Sequence, residues 1–237
     1  VSAERVLFVV AHPDDGEFSC GGTMAKWRAQ GTEVHVVVVT DGTRGSHDTS
    51  ISDEDLAAQR RQEQLRASER LGVAHVEFLD ERDGELVDSD RLQAGLVRAI
   101  RRVRPQLLLS HDPRSAYLRH PDHWVVGEAV WKAVYRAREP RYTPDGDAAS
   151  TAWAPEELWL FHTDRPEHVE ELDQAALEAK FAALLCHESQ FPTSMGFSVG
   201  DEAGAERFHE RVFARARAMG ERAGLTYGEG YARLPLT

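Results

Sequence analysis

The chain is poor in cysteine: Cys20 and Cys186 are the only two among 237 residues. They allow one disulfide at most, and a chain of this length with 41% hydrophobic residues needs none to bury a core. Reduced thiols in a cytoplasmic protein are the expectation. Nothing approaches the run of about eighteen apolar residues that a membrane span requires, and the short apolar run near the N-terminus is too brief for a signal-peptide core. Basic residues are the minority, 28 against 40 acidic, for a formal charge of −12. That balance argues against nucleic-acid backbones and anionic membranes as partners. Repeats and low-complexity blocks are also missing, and no G-x-G-x-x-G follows the first strand, which weighs against a dinucleotide site.

What is present alternates regularly. "RVLFVV" and "VHVVVV" are near-continuous β-branched runs, the pattern of parallel strands covered on both faces. "HVEFL", "QLLLS" and "ELWLF" read the same way. Helical patterns lie between them: Glu17 to Gln30 stopped by Gly31, Glu54 to Leu71 stopped by Gly72, Ser89 to Val103 stopped before Pro105, and Pro121 to about Arg138. This predicts an α/β fold, a Rossmann-like, doubly wound, mostly parallel sheet with helices on both faces and strand order 3-2-1-4-5, formed by residues 1–237 as a single domain. Arg138 to Pro155 reads as a long loop able to wall a pocket. Further helices are expected from Gln174 to His187 and around Ala205 to Ala218.

In such a sheet, ligands bind beyond the carboxyl ends of the strands where the strand order reverses. His12-Pro13-Asp14-Asp15 follows the first strand, and "SHDPRSAYLRHPDHW", carrying His111, Asp112, His120, Asp122 and His123, follows the fourth. Strands one and four flank the switch point, so both clusters converge on one crevice. Two imidazoles and a carboxylate around an open position form a recurring catalytic zinc arrangement, and a spare carboxylate can take a proton from water. Each His-Pro-Asp tetrad alone is also a good helix start. Two of them, placed at both sides of the switch point, are harder to explain as caps.

"AHPDD" with "HPDH" resembles the LmbE/PIG-L superfamily of metal-dependent N-deacetylases. The similarity extends to "CGGTMAKW", "VVTDGTRGS", "RRQEQLRASERLGV", "DGEL" and "KFAALLCHESQ". By position, the resemblance implies His12, Asp15 and His123 as metal ligands, Asp14 as general base and His120 as the imidazole that steadies a tetrahedral oxyanion. It further implies Arg60 and Asp83 as substrate-binding residues, and His187 and Gln190 at or behind the site. Zinc is the expected metal, and iron(II) is compatible with the same ligands. Members often carry Tyr-Gly before the second tetrad. Here Leu118 and Arg119 stand there and Tyr117 is displaced by one, so the pocket beside His120 departs from the pattern.

The other histidines have ordinary readings. His35 and His75 sit on strands, His47, His162, His168 and His209 lie in polar surroundings, and His111 either supports a ligand or packs at a strand edge. Gly21 and Gly22 suit close helix–sheet packing. The expectation is therefore a zinc-dependent hydrolase that removes an N-acetyl group from an acetamido sugar or a related small N-acyl compound. The alternatives are an amidase of a thiol conjugate or antibiotic intermediate and, from another class, a non-catalytic Rossmann-like nucleotide-binding module. The partner expected is the small N-acyl substrate, with homo-oligomerisation left open.

Overall fold

A computed structural model describes residues 3–116, 120–144 and 151–236. Tyr117, Leu118, Arg119 and the middle of the long loop lie outside the described residues. The elements run β1 (Arg5–Val10), α1 (Asp15–Ala29), β2 (Glu33–Thr40), α2 (Asp53–Leu71), β3 (His75–Glu81), α3 (Asp90–Val103), β4 (Leu107–His111) and α4 (Pro121–Arg138). They continue with β5 (Glu157–Phe161), β6 (His168–Leu172), α5 (Gln174–Leu184), α6 (Glu202–Glu221) and β7 (Tyr227–Pro235). The seven strands form one sheet in the order β3-β2-β1-β4-β5-β7-β6. The first five are parallel, and β7 pairs antiparallel with both β5 and β6.

The doubly wound expectation holds, with β1 and β4 adjacent at the switch point. The strand period explains the two layers. On β1, Val6, Phe8 and Val10 face a core shared with Met24, Trp27 and Trp159, while Leu7, Val9 and Ala11 face the opposite core with Leu96, Ile100 and Val130. Helix starts follow local chemistry: Ser52, Ser89 and Asp173 each accept a backbone N–H from the first turn. α5 stops at Leu184, short of the expected His187, and α6 begins three residues before Ala205.

The sequence reading did not find β6 and β7. "HVEEL" is short and polar, and "YGEGYARLP" carries two glycines, so neither shows a strand's apolar signature. These glycines have a packing reason: a Cβ on Gly228 would run into the Val169 side chain, and one on Gly230 would lie 2.6 Å from Met219 Sδ. β7 brings Glu229 to the α1 backbone, where it accepts from Gly22 N (3.2 Å) and Thr23 N (2.8 Å). A Cβ on Gly22 would lie 2.5 Å from the Leu172 side chain, and one on Gly21 2.9 Å from that of Lys180. The Gly21-Gly22 pair thus lets α1 approach β6 and α5.

A second glycine contact sets the site. α4 crosses the end of β4 at Gly127, where a Cβ would meet the His111 carbonyl at 2.6 Å and the Pro113 ring at 2.8 Å. Gly127→Ala must push α4 off this backbone. It is expected to lower the unfolding free energy by about 1–3 kcal/mol, the usual scale of overpacking, as measured by urea denaturation.

Candidate metal centre and the two tetrads

β1 delivers the first tetrad to the switch point, and the chain turns sharply there. Asp14 has φ 94° and ψ −25°, and its side chain makes no cap hydrogen bond. A non-glycine residue in this region costs about 1–3 kcal/mol and persists only where its surroundings enforce it. Here α2 does so. Gln64 Oε1 accepts the Asp14 N–H at 3.0 Å, and the Gln64 amide donates to Glu17 Oε1 (2.7 Å) and Ser68 Oγ (3.1 Å). The Arg60 guanidinium donates to the carbonyls of Pro13 (2.5 Å) and Gly42 (2.7 Å) and lies 3.4 Å from Asp14 Oδ2.

The two adjacent aspartates consequently have different partners. Burial pushes the Asp14 carboxyl up to about 6, against the pull of Arg60 and His187. Asp15 is buried as well, but the charge of His123 and contacts with His111 and His12 hold it well below the usual carboxylate range. Asp15 Oδ2 lies 3.2 Å from His12 Nδ1 and 3.2 Å from His123 Nε2, and these two nitrogens are themselves 3.2 Å apart. A tetrahedral metal with bonds of about 2.0–2.1 Å spaces neighbouring ligand atoms by about 3.3 Å. The three atoms fit one face of such a site.

Behind the triangle, His12 turns its Nε2 toward Asp83 Oδ1 (3.1 Å) and Asp122 Oδ2 (3.4 Å). Carboxylates on the far nitrogen fix the tautomer that leaves Nδ1 free as a ligand. Burial alone would lower the His12 pKa, but Asp122, Asp15 and Asp83 carry it well above the ordinary histidine value. Three carboxylates around one buried imidazole thus make a pocket that demands a cation. Among the described residues, His12 with Asp15 and His123, and His12 with Asp83, His120 and Asp122, are both groups able to hold a metal.

His120 caps α4. Its Nδ1 accepts the Asp122 N–H at 3.3 Å, which assigns the proton to Nε2, 3.7 Å from Asp83 Oδ1. Burial, then the neighbouring His12, lower its pKa. His111 is fully buried, and its Nε2 accepts the Ala11 N–H at 3.1 Å. Its ring stacks on His123 at 4.1 Å, and burial pushes it down to about 3, so it is a neutral strut between β1 and β4.

The sequence-derived set therefore divides. His12, Asp14, Asp15, His120, His123 and Asp83 meet at the switch point. Arg60, expected beside a ligand, is 2% exposed and commits both Nη atoms to the chain's own carbonyls beneath the first tetrad. His187 is buried 3.7 Å from Glu17 and close enough to Asp14 to act on its charge, while Gln190, also buried, donates to Ser189 Oγ. Two residues escaped the sequence reading of roles. Asp122, inside the second tetrad, holds His12. His162, at the end of β5, has φ 56°, stacks over His123 at 5.8 Å and meets Ser19 Oγ through Nε2 at 2.8 Å. Only its position after a strand end signalled it.

A sequence model of the PIG-L family, described as GlcNAc-PI de-N-acetylase, matches residues 7–134. The chain is 30% identical over 233 residues to the diacetylchitobiose deacetylase of Thermococcus kodakarensis, covering 98% of this chain and 84% of that protein. It is also 30% identical to the 1D-myo-inositol 2-acetamido-2-deoxy-alpha-D-glucopyranoside deacetylase of Thermobispora bispora, covering 95% and 93% of the two chains. Among solved structures, the N,N'-diacetylchitobiose deacetylase of Pyrococcus horikoshii superposes with a TM-score of 0.88 at 30% identity, covering 99% of this chain and 85% of that one.

The α2 clamp gives a direct test. Gln64→Leu strips the Asp14 N–H of its acceptor and Glu17 of a donor in a buried setting. Leaving such groups unsatisfied costs about 1–3 kcal/mol, so the unfolding midpoint in urea should fall accordingly. An unchanged midpoint would show that Gln64 does not hold the turn.

Proposed function

The chain belongs to the PIG-L family of N-deacetylases, and on that premise we propose that it is a zinc-dependent hydrolase releasing acetate from an acetamido sugar. The observation that carries this reading is the triangle of His12, Asp15 and His123 donor atoms at 3.2 Å spacing, with the Asp14 carboxylate outside it and the His120 ring packed on His12. The mixed nitrogen and oxygen donors suit zinc, and the same donors accept iron(II). When bound, the metal supplies Lewis acidity and a coordinated water with its pKa lowered to about 7.

The chain's own groups do the rest. Asp14 is not part of the triangle and takes the proton from the attacking water. Its turn is fixed before substrate arrives, so little reorganisation accompanies the step. His120 presents Nε2–H toward the developing oxyanion, since its Nδ1 is engaged by the α4 backbone. The departing amine needs a proton, and Asp14, protonated in the first half, returns it. Asp83 and Asp122 hold the His12 ring, Arg60 acts through the first tetrad, and the Glu17–His187 pair supports Asp14 from behind.

Acetate release from a panel of N-acetyl sugars by the metal-loaded protein tests the reading. Asp14→Asn should retain metal and fold while turnover falls by about 10²-fold or more. His123→Ala and Asp15→Asn should lose most of the metal by elemental analysis. A panel with no acetate released, or an Asp14→Asn variant with full turnover, would overturn it.

A further inference from the structure

A cavity of about 620 Å³ lies outside the triangle, between the start of α1, the end of β5 and α6. His162 is the wall it shares with the metal centre, because that ring lines the cavity and stacks on His123. Phe18, Phe161, Phe208 and Met219 form apolar sides. The charged lining consists of Lys180, Arg211 and Arg215 against a single carboxylate, Glu229. This positive surplus runs against a chain whose formal charge is −12.

The charges are not equivalent. Lys180 donates to Glu229 at 2.6 Å and to the Phe18 carbonyl at 2.8 Å. Glu229 also accepts from the backbone of α1. That pair is internal and neutral. Arg211 donates to the Met195 carbonyl and lies over the Phe208 ring. Arg215 lines the same cavity one helical turn along, and among the described residues it has no hydrogen-bond or ion-pair partner.

We propose that this cavity is a substrate subsite that takes an anionic group, a carboxylate or phosphate, carried on the part of the substrate remote from the scissile amide, with Arg215 as its counter-charge. The inference rests on the deacetylase reading and narrows its substrate class. A guanidinium offers a planar fork of donors matched to both oxyanions, and Arg215 is exposed and so open to an entering anion. On this reading a substrate with its amide at the triangle places its remote group in this space, so the metal centre and the subsite read two ends of one molecule. Binding energy from such a remote group is available to orient the amide.

The test compares acetate release from N-acetylglucosamine, N-acetylglucosamine 6-phosphate and N-acetylmuramic acid, the last carrying a carboxylate, using the metal-loaded wild type and Arg215→Gln. The wild type is expected to favour one or both anionic substrates by tenfold or more in kcat/KM, and the variant to reduce that ratio at least tenfold, with Arg215→Lys restoring part of it. Which anion is favoured separates phosphate from carboxylate. Calorimetric binding of glucosamine 6-phosphate and muramic acid against glucosamine reads the subsite without turnover. No charge preference in either measurement, or a preference that survives Arg215→Gln, overturns the subsite. Acetate released from none of the three, with charge-selective product binding intact, counts against the hydrolase reading instead and leaves the subsite supported.

Discussion

The left-handed turn at Asp14 is the constraint on which the site depends. A backbone at φ 94° is unfavourable for aspartate, and the chain enters it because three groups on neighbouring elements satisfy that geometry and no relaxed one. Gln64 takes the N–H, Arg60 takes the Pro13 carbonyl, and Asp15 takes the His12 N–H at 2.8 Å. The turn separates two consecutive carboxylates into different electrostatic surroundings. One remains buried near a guanidinium with a raised pKa, and the other is drawn into the imidazole triangle with a lowered one.

Charge is arranged around that turn with the same economy. Asp15, Asp83 and Asp122 surround His12, which makes the switch point a place for a cation. The buried His111 stays neutral because burial disfavours its charged form, and its Nε2 accepts a backbone N–H. On the far side of His162 the cavity lining carries the opposite sign, through Arg215 and Arg211.

Of the antiparallel strands β6 and β7, it is β7 that lines that second region, through Gly228, Glu229 and Gly230. Both strands extend the sheet beyond β5 and anchor through Glu229 to the α1 backbone and to Lys180, while the Tyr231 hydroxyl donates to Thr23 Oγ1 at 2.7 Å. This buried polar network locks α1, α5 and β7 together, and α6 packs over it to close the cavity. The glycines at 21 and 22 are where that closeness requires a missing side chain.

By itself the sequence determined the five-strand parallel core, the strand order 3-2-1-4-5, the six principal helices and the two tetrads at the switch point. These are legible because apolar period, glycine stops and capping residues are local signals, and because chain order at a doubly wound sheet dictates which loops meet. The tertiary structure decided the rest. That Arg60 lies beneath the first tetrad instead of on a solvated helix face depends on how α2 packs, which its charged sequence hides. Asp122 and His162 acquire roles only through partners 110 and 39 residues away, His12 and His123 respectively. β6 and β7 carry too little apolar pattern to be seen before β5 and α1 give them something to bind. Local sequence specifies elements, whereas the burial of a polar side chain and the identity of its partner are properties of the packed whole.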